Sequence, residues 1–367
     1  AFMTRIPFFI RRPGLLLRDA FISRDQPDFA RLRTIQNPET FLWAILPHAA
    51  RTFSSCIAML PAPQARAAAV GYLYCRILDT YEDLHPNPEE REQVLRSFGE
   101  RLNSTIPPPA PAIPKGTHYN NRDLSHLLLV DRCNLVDQSF LTLPEEQKSA
   151  IRELVSNMAT GMAWASQRFR EQKGVLIGEN QLLQYCRHVL GNPVLFSIHL
   201  MQNEAASSEQ RTDALAVGEL VQLANVTRDI EKDLERGVGY DESLVTLIHE
   251  SDSGEPMNKL ETIRQVRENL LRLALLRGDA YRRMVEGMKL PTWSLARGAA
   301  ILMILFTDRY WRSCARRAGL PYWEGPKGPF AILLRAFPTV FSARRCDRIL
   351  RRIERNFASI ASVPTRN

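Results

Sequence analysis

The sequence has no Cys-x-x-Cys pair among its six cysteines, Cys56, Cys75, Cys133, Cys186, Cys314 and Cys346, and no cysteine–histidine cluster with zinc spacing. That excludes zinc ribbons, zinc fingers and thioredoxin-type redox centres. Cys75 and Cys186 fall inside apolar helical patterns, so the cysteines are expected reduced and buried, as in a cytoplasmic protein. Long apolar runs are missing too. The best stretch, Gly298 to Phe306, is far too short for a membrane span and reads as buried helix. Alternating strand patterns and internal repeats are absent. So are a glycine-rich dinucleotide loop and the two Glu-x-x-His motifs that carboxylate-bridged di-iron bundles require.

What is present is helical periodicity. The 367 residues are 45% hydrophobic and 24% charged, enough for one large core, with a net charge of +8 that suits an anionic partner. Candidate helices cover 39–60, 64–84, 87–103, 122–139, 144–171, 178–204, 208–235, 257–288 and 291–318, with a final basic helix over 341–357. Pro61, Pro63, Pro86 and Pro88 punctuate the early helices, and Glu145 and Glu146 after Pro144 mark a helix start. The Pro-rich segment 104–121 reads as an extended, exposed loop. The expected fold is all-α, a single-domain helical bundle. An arm over 1–38 precedes a helical domain over 39–320, and a basic helical appendage covers 321–367. The opening IPFFIRRPGLLLRDAF is apolar and basic, lacks a cleavage pattern, and suits a peripheral membrane contact.

Two segments carry unusual chemistry. In AVGYLYCRILDTYEDL (69–84), Tyr72, Arg76, Asp79 and Asp83 are spaced four, three and four apart and stack on one face of an otherwise apolar helix. In LVQLANVTRDIEKDLERG (220–237), Gln222, Asn225, Asp229 and Asp233 do the same, with Arg228 adjacent. A lone Asp-x-x-x-Asp is usually a solvated face or an ion-pair ladder. Two such stripes in apolar sequence are harder to explain that way, because burying unpaired charge is expensive. Facing each other, these aspartates would form an all-oxygen, strongly negative site that suits Mg²⁺ and, through it, a phosphate or diphosphate substrate. Arg51, Arg76 and Arg228 would balance the leaving-group charge.

At these residues the chain resembles the squalene/phytoene synthase family, the trans-isoprenoid synthases that condense head to head, over about 40–315. AILPHAARTF (44–53), YLYCRILDTYED (72–83), MATGMAW (158–164), YCRHVLGNPV (185–194) and QLANVTRDIEKD (222–233) match its motifs in order, the last most specifically. Leu190 replaces the usual alanine. The resemblance implies an isoprenoid-synthase bundle with a central active-site cavity. Asp79, Asp83, Asp229 and Asp233, with Asn225, would hold about three Mg²⁺ ions on two prenyl diphosphates. Arg51, Arg76, Arg228, Gln222 and Asn225 would contact diphosphate or metal-bound water, and Tyr72 and Tyr185 would border the reacting carbons.

The Asp79-Thr80-x-Glu82-Asp83 form points toward squalene synthases, hence farnesyl diphosphate, with NADPH needed if squalene is the product. Segment 233–244 departs from the squalene form, and a phytoene synthase using geranylgeranyl diphosphate remains an alternative. So does a type I terpene cyclase acting on one substrate. A non-catalytic relative would have eroded aspartates. A nucleic-acid binder would leave the acidic stripes unexplained, despite the basic 344–355 segment. The expectation is a monomeric cytoplasmic enzyme, peripheral on a membrane, with no nucleic-acid partner.

Overall fold

The computed structural model describes residues 7–114, 116, 119–202, 204–249 and 256–362. Among the described residues the secondary structure is helical, apart from an isolated bridge between Val175 and Gly239. Helices α1 (Phe8–Phe21), α2 (Phe29–Thr34), α3 (Pro38–Ala50) and α4 (Thr52–Met59) lead into the long α5 (Ala62–Leu84). Then come α6 (Pro88–Glu100), α7 (Asn121–Asp131), α8 (Cys133–Leu141) and α9 (Glu145–Glu171). After α10 (Gly178–Cys186) a π-helical turn, Arg187–Gly191, runs into α11 (Asn192–Gln202) and the second long polar helix, α12 (Ser208–Glu235). The chain closes with α13 (Val245–His249), α14 (Pro256–Leu275), α15 (Ala280–Gly287), α16 (Leu295–Arg317), α17 (Pro329–Ala336) and α18 (Ala343–Ala361).

Local chemistry explains the starts. Asn87 accepts from the Glu89 and Glu90 amides at the head of α6, with Pro88 in its first turn. Ser207 and Gln210 form a reciprocal capping box on α12. The acidic first turn of α9 and its basic last turn both complement the helix dipole.

Several expected helices are divided. The one over 39–60 breaks at Arg51, whose φ of 52° is a left-handed value that a side chain rarely adopts. The one over 122–139 breaks at Arg132, and the one over 257–288 breaks between α14 and α15. The one over 178–204 is interrupted by the π turn, and contacts between helices account for it. A Cβ on Gly218 of α12 would lie 2.5 Å from the Gly191 Cα and N, so the two backbones touch there. Gly161 of α9 likewise leaves room for the His188 ring. Replacing Gly218 with alanine should therefore push the π turn off α12 and cost about 1–3 kcal/mol of stability, measurable by denaturant unfolding.

Residues 7–38, which the sequence offers as an arm, carry two helices. Leu16 and Leu32 belong to the same hydrophobic core as Phe357 and Ile360 of the C-terminal helix. The Arg12 guanidinium donates to the Ala58 and Leu60 carbonyls and ties α1 to the end of α4. The Pro-rich loop is also anchored, since Tyr81 donates to the Pro111 carbonyl and Arg101 to that of Pro108. No helix among the described residues is long and apolar enough to cross a membrane.

Candidate active site

A cavity of about 320 Å³ opens between α5 and α12. It brings together every residue singled out by spacing or resemblance: Arg51, Tyr72, Arg76, Asp79 and Asp83 from one side, and Tyr185, Gln222, Asn225, Arg228, Asp229 and Asp233 from the other. The polar end lies between the two aspartate faces. The other end is apolar, lined by Leu154, Met158, Phe196, Met284, Ala300 and Met303 among others. Residues from 185–204 and 297–306 contribute to it.

Each acidic helix is held by its own arginines. Arg76 pairs with Asp79 at 2.9 Å, donates to the Tyr72 hydroxyl at 2.8 Å and to the Ala49 carbonyl at 3.0 Å, and lies over the Tyr72 ring. Arg228 donates twice to Asp229, at 2.8 and 2.6 Å, and stacks on Tyr310. Arg51 pairs with Asp25. Asn225 donates to the Gln222 side chain, which fixes both amides on the α12 face.

The carboxylates differ in what surrounds them. Burial pushes Asp79 up to about 6, with Asp83 adding repulsion against the opposing pull of Arg76. Burial, Asp83 and Asp229 push Asp233 up to about 7. Burial acts the same way on Asp229, yet the Arg228 hydrogen bonds and charge outweigh it and hold Asp229 below the ordinary carboxylate range. Glu82, beside the Asp83 and Asp79 charges, is raised well above its usual range by burial first, and its Oε1 has no partner. The Tyr185 hydroxyl reaches Glu82 and Tyr240, both at 3.4 Å, and its ring packs against Tyr240.

Four of these lining residues carry no signal in the motif spacing. Arg122, at the start of α7, enters the cavity with its Nε unpartnered. Burial, then Arg76 and Arg51, lower its pKa, so it is a desolvated cation beside other cations. Arg236 bridges Asp83 at 3.0 Å and reaches Asp123 at 3.9 Å. Lys232 and Tyr240 complete the rim. Arg236 and Tyr240 sit just beyond the second motif, whereas Arg122 follows the Pro-rich loop and belongs to no periodic pattern.

The donor set at the polar end fits Mg²⁺. The facing groups are carboxylate oxygens with an amide, and Asp79 and Asp233 are both desolvated and both repelled by the neighbouring Asp83 charge, which a bound cation would relieve. Among the described residues, no three carboxylate, histidine or cysteine side chains converge tightly enough to hold an ion alone.

The squalene/phytoene synthase family model matches residues 46–322. The chain belongs to that family. Squalene synthase 1 of Arabidopsis thaliana is 28% identical over 200 residues, covering 53% of this chain and 44% of that protein. The squalene synthase of Ganoderma lucidum is 27% identical over 205 residues, covering 53% and 41%. The chain thus matches less than half the length of these curated relatives. Among solved structures, the complex of TcSQS with BPH1237 superposes with a TM-score of 0.65 at 17% identity, covering 88% of this chain and 99% of the other. Squalene synthase HpnC of Alicyclobacillus acidocaldarius gives 0.50 at 16% identity, covering 87% and 99%. These structural matches show the squalene/phytoene synthase fold, and the motif residues named above lie within the family match.

Proposed function

We propose that the chain condenses two prenyl diphosphates head to head, farnesyl diphosphate in the first instance, through a cyclopropyl diphosphate, to squalene or a related C30 product. The observation that supports this best is the cavity's division: paired acidic and basic faces at one end, an apolar chamber at the other. A diphosphate belongs at the first and an isoprenoid tail at the second.

Asp79, Asp83, Asp229, Asp233 and Asn225 would hold Mg²⁺, which when bound supplies positive charge to the departing diphosphate oxygens. The arginines change partner as substrate arrives. Arg76, Arg228 and Arg236 each occupy an aspartate oxygen. Diphosphate oxygens draw those guanidinium groups away and free the carboxylates. Arg51, Arg122 and the Gln222 amide extend the same anion cradle. Cleavage of the allylic C–O bond releases diphosphate and leaves an allylic cation. The second substrate's double bond attacks it, and loss of a proton closes the cyclopropane. Tyr72 and Tyr185 line the cavity, where their rings would stabilise that charge, and the apolar lining would exclude water that quenches it.

Incubation with farnesyl or geranylgeranyl diphosphate and Mg²⁺, with and without NADPH, followed by identification of the extracted lipid, tests the reading. A C30 product from farnesyl diphosphate supports it. A C40 product favours a phytoene synthase, and a cyclic product from one substrate molecule overturns head-to-head condensation. Within this reading, Arg122→Ala should raise KM by about tenfold or more, the loss of one charge-assisted contact, in steady-state assays with the fold checked by circular dichroism.

A further inference from the structure

The outer face of α1 is apolar where a soluble helix would be polar. Ile10, Leu17 and Phe21 recur at helical spacing and are exposed, Phe21 at 72%. The chain does the same again near its other end. Phe330 and Leu334 of α17, then Phe337 and Phe341 just after it, are spaced four, three and four apart and are also exposed. The two stripes are one surface. Phe21 meets Phe330 with ring centroids 5.7 Å apart, Phe337 meets Phe341 at 5.6 Å, and Trp293, 72% exposed, meets Phe341 at 5.3 Å. An apolar patch running over two helices and a tryptophan is larger than scattered surface residues explain.

Along the two segments that carry it, the unpaired charge has one sign. Between 7 and 22 the only acidic residue is Asp19, which is buried against Arg18. Between 326 and 349 the only one is Asp347, which pairs with Arg351. Lys327, Arg344, Arg345 and Arg348 are exposed, and their side chains have no ion-pair partner among the described residues. Aromatic and aliphatic side chains beside free cations suit an interface of acyl chains below and anionic headgroups above. A second copy of the chain would bring like charges together.

We propose that the joined outer faces of α1 and α17, with Trp293 and Phe341, dock this protein on the surface of an anionic lipid bilayer. No span is involved; the helices lie in the interfacial plane. The position of this surface matters. α1 is clasped to α4 by Arg12, and Val340, between α17 and Phe341, packs against Gly298 of α16. On their other sides, α4 contributes Cys56 and Ile57, and α16 contributes Ala299, Ala300 and Met303, to the apolar end of the cavity. Docking therefore sets that end of the cavity toward the bilayer, with only two helices between. Its use for passing an apolar product into lipid rests on the function proposed above; the docking itself does not.

The test is flotation of the full chain with phosphatidylcholine vesicles, with and without phosphatidylglycerol. The wild type should float with the anionic vesicles and weakly or not at all with the neutral ones. Phe21→Ser combined with Leu334→Ser should reduce partitioning by about tenfold or more, and Arg344→Glu with Arg345→Glu should abolish the preference for anionic lipid. Circular dichroism and turnover of detergent-dispersed substrate should stay unchanged in both variants. Equal flotation of wild type and variants, or dimerisation through this face without vesicle binding, would overturn the proposal. Because flotation needs no substrate, a failed condensation assay leaves this result standing, and the reverse holds.

Discussion

Asp229→Asn and Asp79→Asn should each lower turnover of prenyl diphosphate by about 10³-fold, the scale expected when one group that organises transition-state charge is lost. Both substitutions keep the side-chain shape and remove a charge from the polar end of the cavity. Their effects on stability should have opposite signs, which separates lost chemistry from lost fold. Asp229 is held below the ordinary range because Arg228 donates to both of its oxygens, so its neutral replacement loses a favourable ion pair and should melt lower. Asp79 is raised to about 6, so its ionised form is a burden to the ligand-free chain at neutral pH. Asp79→Asn removes that burden, while Arg76 keeps the Tyr72 hydroxyl and the Ala49 carbonyl. Its melting temperature should be unchanged or higher. Near-wild-type turnover in either variant would remove the basis for placing metal at these aspartates.

The acidic stripes were legible because they are a matter of one helix at a time. Spacing of four, three and four puts Asp79 and Asp83 on one face whatever the rest of the chain does, and the apolar neighbours imply that the face turns inward. The π turn at Arg187–Gly191 was not legible in the same way. It exists because Gly191 meets Gly218 of another helix, a contact with no sequence period. Arg122 escaped for a similar reason: the path of the Pro-rich loop, pinned by Tyr81 and Arg101, decides where α7 begins. In α1, Pro13 interrupts the backbone ladder and lowers intrinsic propensity, and packing of Leu16 with the Arg12 clasp compensates. Intrinsic pattern thus revealed the chemistry, and tertiary contact determined the cradle around it.

Activity should fall steeply with acid at low Mg²⁺, first below about pH 7 and again below about pH 6, as Asp233 and then Asp79 take up protons. Raising Mg²⁺ tenfold should move this limb down by roughly one pH unit where each bound ion displaces one proton, and by about half a unit where it displaces two. Stability of the metal-free chain should run the other way. Both carboxylates sit above their ordinary value of 3.8 when folded, so the folded chain binds protons more tightly than the unfolded one between that value and about 6 and 7. These two groups therefore favour the folded state as pH falls through their folded values, and weaken it as pH rises above them. The cause is burial together with crowding by Asp83 and Asp229, and bound cations relieve both. Mg²⁺ with inorganic diphosphate should accordingly raise the melting temperature more on the alkaline side of pH 7 than on the acid side of pH 6, as read by scanning fluorimetry. A stabilisation that does not change with pH would mean that the ions bind elsewhere, and in Asp233→Asn the pH dependence should shrink while the Asp79 contribution persists.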